Sequence, residues 1–132
     1  MALTSKLPHV GTTIFTVMSK LAAECGAINL SQGFPDFPID EKLSDLVNAA
    51  MRTGHNQYAP MPGLPALREA ITNKVERLYG FSYDADAEVT IAAGGTQAIF
   101  TAIGAVVHPG DEVIIVDPAY DCYPPTVELF GG

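Results

Sequence analysis

A chain of 132 residues with 48% apolar content holds enough hydrophobic material for one packed domain, which excludes intrinsic disorder. Its 15 acidic against 7 basic residues leave a net charge of −8, a field that repels nucleic acid and anionic lipid and favours solubility. No stretch reaches the roughly 18–20 apolar residues that span a bilayer, and Met1 to Pro8 lacks the apolar core of a signal peptide, so no membrane partner is expected and the expected location is cytoplasmic. Cys25 and Cys122 lie far apart without a CxxC pattern and read as free thiols in a reducing compartment. His9, His55 and His108 are scattered without metal-ligand spacing, so no metal site is expected.

Thr12 or Thr13 caps a first helix that carries Ile14, Met18, Leu21 and Cys25 on one face, with Gly26 just past its end. The short extended piece Ile28-Asn29-Leu30 leads into Ser31-Gln32-Gly33-Phe34-Pro35-Asp36-Phe37-Pro38, a stretch of prolines, glycine and aromatics that predicts an ordered loop without a regular period. Asp40 is placed to cap a second helix carrying Leu43, Leu46, Val47, Ala50 and Met51, ended by Gly54. His55 to Gly63 is a second loop, built of turn formers around Tyr58, and its prolines forbid a long helix or a central strand. A third helix over about Leu64 to Tyr79 sets Leu64, Leu67, Ile71, Val75 and Leu78 on one side and Arg68, Glu69, Lys74 and Glu76 largely opposite. Gly80 stops it, and the acidic run from Asp84 to Glu88 reads as a solvated loop.

Val89 to Ala93 is a short β-branched run that ends in Gly94-Gly95 and passes into a helical pattern, Thr96 to Val107, apolar on nearly every face. Such a helix is expected between layers or at a subunit contact. His108-Pro109-Gly110-Asp111 forms a tight turn, and Glu112 to Asp117 is a continuous apolar strand. Two such strands joined by a helix predict an α/β architecture, a mainly parallel sheet with helices on both faces and a right-handed connection. Pro124 to Phe130 starts a short helix, and Gly131-Gly132 reads as a loop toward a further strand. Two central-type strands cannot close a doubly covered sheet, so the expectation is an incomplete piece of a larger α/β protein.

The chemistry concentrates where the strands end. The first amides of a helix lack intrahelical acceptors and sit at the positive end of its macrodipole, so Gly94-Gly95 before a helix is an anion seat. Neither glycine has a Cβ, which lets a ligand oxygen approach the backbone closely. Thr96 adds a hydroxyl that serves either as a cap or as a further donor to a phosphate. At the other strand end, Asp117-Pro118-Ala119-Tyr120-Asp121-Cys122-Tyr123 offers Tyr120, a flat ring able to stack on a heteroaromatic ring held by that phosphate. A phosphate seat with a stacking platform suits a phosphorylated aromatic cofactor. Asp117 has a rival role, because a dinucleotide-binding fold keeps its ribose-binding acid about twenty residues beyond its glycine turn.

These residues together resemble the fold-type I pyridoxal-phosphate aminotransferases. The resemblance runs through Ile28-Asn29-Leu30-Ser31-Gln32-Gly33-Phe34-Pro35-Asp36-Phe37, Asn56-Gln57-Tyr58-Ala59-Pro60, Gly63 with Leu67-Arg68, Ala93-Gly94-Gly95-Thr96-Gln97-Ala98 and Pro109-Gly110-Asp111-Glu112-Val113. The loop at Gln32 to Phe37 and Asp121-Cys122-Tyr123 look most like the branch with methionine, glutamine and kynurenine aminotransferases. The resemblance implies residues 1–40 as an N-terminal segment, with a small-domain or dimer arm and the substrate loop, and residues 41–132 as the first part of a truncated cofactor-binding large domain. It implies pyridoxal 5'-phosphate as cofactor, held by Gly95, Thr96 and Gln97 through main-chain amides, with Tyr120 stacked on its ring and the Tyr58 hydroxyl reaching the phosphate of a neighbouring subunit in a homodimer. Gly33 would lie against the amino acid substrate, and the reaction would move an amino group from an amino acid to a 2-oxo acid.

The Schiff-base lysine of that family has no counterpart here. Lys6, Lys20, Lys42 and Lys74 precede the sheet or sit on helix faces, and Arg52, Arg68 and Arg77 are helical, so no catalytic residue is assigned and the piece alone is expected to be inactive. Two other classes stay open from the residues: a nucleotide-binding oxidoreductase half, against which the turn lacks G-x-G-x-x-G spacing, and a non-catalytic dimerising module. Plainer roles also exist for single residues. Tyr58 would fill a surface groove, Tyr120 and Tyr123 would pack at a strand end, Gly33 would serve a turn, and Cys122 would be a small buried side chain.

Overall fold

The computed structural model describes residues 3–33 and 35–132, so Phe34 of the first loop and the terminal Met1 and Ala2 lie outside the described residues. The chain divides into two compact units, Met1–Phe37 with Ile99–Gly132, and Pro38–Ala98.

In the first unit, Thr13 caps α1 (Ile14–Glu24), its hydroxyl accepting from the Thr16 amide at 3.4 Å, and Gly26 follows the helix with a φ of +60°. Asn29 then fixes the start of the next loop: its side-chain Nδ2 donates to the Ser19 hydroxyl at 3.0 Å and its Oδ1 accepts from the Ser31 amide at 3.0 Å. Further along, α5 (Tyr123–Phe130) carries Val127, 8% exposed, and Thr126, whose hydroxyl donates to the Cys122 carbonyl at 2.6 Å. The end of the chain folds back on this helix, Gly132 donating to the Val127 carbonyl at 3.1 Å while Gly110 donates to that of Gly131 at 2.7 Å. Gly104 on α4 (Gly95–Val106) admits the Phe130 ring, which also lies 5.2 Å from Phe100 between centroids.

In the second unit, Asp40 caps α2 (Glu41–Arg52) by accepting from the Lys42 amide at 2.8 Å, and Glu41 places a further negative charge in the first turn. Leu43, Leu46, Val47 and Met51, the apolar face of this helix, are all half exposed or more. Pro at the first position starts α3 (Pro65–Tyr79), where its missing N–H costs nothing, and Gly80 in the left-handed conformation ends it. The expectation that Arg68 faces solvent is corrected: it is 5% exposed, the most buried side chain on this helix, with Ile71, Thr72 and Val75 next.

No β-ladder forms among the described residues, including the two segments read as strands, Val89 to Ala93 and Glu112 to Asp117. A strand covered on both faces takes its ladder bonds from neighbours on either side. The Ile91 amide instead donates to the Pro62 carbonyl at 2.9 Å.

Candidate functional site

The turn between Ala93 and α4 is built by three features. Gly94 has a φ of +114°, which only glycine adopts readily, and Gly95 begins the helix without such a constraint. A Cβ at either glycine would meet nothing within 4 Å, so the space above the turn is open. Gln97 folds its side chain back so that Oε1 accepts from the Ala93 amide, a capping-box interaction displaced by one residue.

That cap leaves the following amides free. The first helical bond is Ala98 to the Gly94 carbonyl at 3.1 Å, and among the described residues the amides of Gly95, Thr96 and Gln97 have no acceptor. The Thr96 hydroxyl likewise has no partner among the described residues. No acidic residue stands in the first turn of α4, and no charged residue occurs from Val89 to Val107, so nothing within this stretch neutralises the positive end of the macrodipole. The three consecutive amides and the hydroxyl suit a phosphate dianion, which carries acceptors only.

Gly95, Thr96 and Gln97 lie on one exposed turn at the start of α4. Gln97 differs in one respect: its side chain is engaged with Ala93, leaving its main-chain amide to face a ligand. Tyr58 is fully exposed, so within this chain it fills no groove. Tyr120 and Gly33 belong to the first unit. Tyr120 precedes α5, 47% exposed, with its ring 5.9 Å from that of Tyr123 in an edge-on arrangement at 67°. A Cβ at Gly33 would meet nothing within 4 Å, so crowding by this chain does not require glycine there. Among the described residues no three His, Cys, Asp or Glu side chains gather to hold a metal, and no helix is long and apolar enough to cross a membrane.

Sequence reasoning missed Arg68. Its Nη1 donates to the Ala85 carbonyl at 2.6 Å and its Nη2 lies 3.0 Å from Asp86, while Nε is buried without a partner. The signal was present: Arg68 follows Leu64 by four residues and precedes Ile71 by three, inside the apolar arc. The acidic loop it grips is ordered rather than merely solvated. The Asp84 carboxylate accepts from the amides of Asp86 at 2.7 Å and Ala87 at 3.1 Å. Those two bonds, the Asp86 one first, hold its carboxyl below the usual carboxylate range, and the Arg68 charge adds to the effect.

The family model for aminotransferase class I and II matches residues 26–132, which include the glycine turn and every residue assigned above. The chain belongs to the class I and II aminotransferases. It is 56% identical to the methionine aminotransferase of Escherichia coli K12, over 97% of this chain and 33% of that protein. To the rat kynurenine–oxoglutarate transaminase 3 it is 38% identical, over 96% of this chain and 28% of that protein. Its backbone superimposes on the crystal structure of an Escherichia coli protein identified as a methionine aminotransferase with a TM-score of 0.94 and 55% identity, covering 100% of this chain and 35% of that one. An N-succinyldiaminopimelate aminotransferase structure from Mycobacterium tuberculosis gives a TM-score of 0.88 at 42% identity, covering 98% of this chain and 34% of that one. The chain spans about a third of the length of these relatives. Its fold class is therefore that of the pyridoxal-phosphate-dependent fold-type I transferases, an α/β architecture of which these residues form a part. The family's cofactor is pyridoxal phosphate, and the open amides of Gly95 to Gln97 fit its phosphate.

Proposed function

We propose that this chain supplies the phosphate seat and the aromatic platform of a transaminase that moves an amino group from an amino acid to a 2-oxo acid. Pyridoxal phosphate supplies the electron sink for that chemistry when bound. The observation that carries the reading is the first turn of α4, with three acceptor-free amides behind Gly94 and no acid to neutralise them.

The residues of the chain then take distinct parts. The amides of Gly95, Thr96 and Gln97 bind the phosphate oxygens, and the Thr96 hydroxyl adds a fourth donor. Because the turn is fixed before any ligand arrives, no ordering of these donors is needed on binding. Tyr120 would supply an aromatic ring on which the cofactor's pyridine could stack. Gly33 leaves room beside the substrate carboxylate. Tyr58, fully exposed on its own chain, is free to carry its hydroxyl to the phosphate held by a second copy, which makes a homodimer the working unit. The cytoplasm is the proposed location.

Methionine is the first donor to test, since the similarity to methionine aminotransferase is high, with glutamine and kynurenine beside it. The complete protein, loaded with pyridoxal phosphate, is expected to produce the corresponding 2-oxo acid from at least one of these donors. The 132 residues alone are expected to produce none, because no lysine of theirs matches the family's cofactor-linking position. A complete protein that holds pyridoxal phosphate and transfers no amino group from any of these donors would sink the reading.

A further inference from the structure

The turn that ends in Gly94 is approached by a stretch held at three separate points. At its start, the Arg68 guanidinium reaches from the first turn of α3 to the Ala85 carbonyl at 2.6 Å and to Asp86 at 3.0 Å. The loop it grips is closed on itself, with Glu88 accepting from the Asp84 amide at 2.7 Å and donating its own amide to the Asp84 carbonyl at 2.9 Å. Midway, the Ile91 amide bonds to the Pro62 carbonyl at 2.9 Å, and Gly63 lies so close that a Cβ there would stand 2.7 Å from that of Ile91. At the end, Gln97 takes the Ala93 amide. The first two points come from one short piece, Pro62 to Arg68, at the entrance to α3.

We propose that Gly63 and Arg68 form a positioning brace for the phosphate seat. The brace sets the register at which residues 85–93 deliver Gly94 to Gln97, and so decides where the free amides point. The inference deepens the transaminase reading and rests on it. Its physical basis is that an extended chain advances about 3.3 Å per residue and reverses its faces with each step. A slip of one residue at Ile91 would therefore carry the amides past a phosphate altogether, and a misplacement of about 1 Å already costs up to about a hundredfold in a positioned site.

The cost at Arg68 supports a geometric rather than a stabilising role. Its Nε is buried without a partner, and its ion-pair partner Asp86 is 89% exposed, so the pair itself contributes little to stability. A methionine would bury as well and strand no donor. What it would lack is the planar fork that reaches two consecutive residues, Ala85 and Asp86, at once.

The test separates phosphate binding from folding. The complete apoprotein is titrated with pyridoxal phosphate and with pyridoxal, and the ratio of the two affinities reads what the phosphate seat contributes. In R68M that ratio is expected to fall at least about tenfold, with pyridoxal affinity and apoprotein melting nearly unchanged. In R68K, which keeps the charge and loses the fork, an intermediate fall is expected. D86N removes one prong at an exposed position and serves if the other two fail to fold, with an expected loss of about threefold. Equal losses for the two ligands would assign Arg68 to folding alone and overturn the brace, as would an unchanged ratio in all soluble variants. A parent protein that binds pyridoxal phosphate no better than pyridoxal would instead remove the phosphate seat itself, and the brace with it.

Discussion

Gly63→Ala isolates the close approach of Gly63 to Ile91. Gly63 has a φ of +107°, a conformation that costs a residue with a Cβ about 1–3 kcal/mol. The added carbon would also stand 2.7 Å from the Ile91 Cβ, and forcing an extra methyl into an occupied space costs about 1–3 kcal/mol more. Ile91 cannot simply retreat, because its amide is bonded to the Pro62 carbonyl at 2.9 Å and withdrawal would strand both groups. The sum is a loss of about 2–6 kcal/mol. Gly26→Ala is the control: its φ is +60° and nothing lies within 4 Å of its Cβ, so only the left-handed strain of about 1–2 kcal/mol applies. Urea unfolding of the complete protein with each substitution, compared at a common slope, gives the difference. If Gly63→Ala costs no more than Gly26→Ala, the contact with Ile91 is not the tight one inferred here, and half of the brace goes with it.

Two other perturbations have signs that can be worked out. Gly95 has open space around its Cβ and no positive φ, so Gly95→Asp is tolerated by the backbone and places a carboxylate at the positive end of α4, where it adds about 0.3–1 kcal/mol to the apoprotein. The same charge repels a phosphate, so the substitution is expected to raise the melting temperature of the apoprotein while weakening pyridoxal phosphate at least about tenfold, and a variant that binds the cofactor as well as the parent would contradict the placement of the seat. Asp84 has a depressed carboxyl pKa in the folded loop, so its contribution is complete above the ordinary value of 3.8 and is lost as pH falls through the lowered folded value. Amide protection at Asp86 and Ala87 should decline over that acid range, and in Asp84→Asn the decline should be absent.

Much of the local structure could be read from single residues. Thr13 and Asp40 cap where a hydroxyl and a carboxylate before an apolar period predict, and Gly26, Gly54 and Gly80 end their helices with positive φ as expected. The glycine turn was legible for the same reason, because φ preference and the absence of a Cβ are properties of the residue itself. Arg68 was misread by letting its charge outweigh its position in the period, although Leu64 and Ile71 bracket it on the same arc. The Gln97 cap was not legible, since an amide side chain at that place can turn to the backbone or to solvent and only the folded turn decides between them. The apolar stripes were legible as stripes. What covers Leu43, Leu46, Val47 and Met51 was not, because a hydrophobic period states that a face is buried and carries no information about its partner.

The contrast between α2 and α4 shows why one helix start is open to an anion and the other is not. Both begin with the same set of orphan amides and the same dipole. In α2, Asp40 accepts from the Lys42 amide and Glu41 lies in the first turn, so the chain meets its own electrostatic demand and a phosphate would find the position taken. In α4 the cap comes from Gln97, a neutral side chain, and it is directed at Ala93, upstream of the helix rather than within it. The turn is thereby held rigid without adding a negative charge and without using the donors of Gly95, Thr96 or Gln97. An aspartate in place of Gly94 would be strained by the φ of +114° there, and its carboxylate would compete with the ligand for the same amides. Glycine at 94 and 95 and a neutral glutamine at 97 leave that end of the helix uncharged and its first amides free.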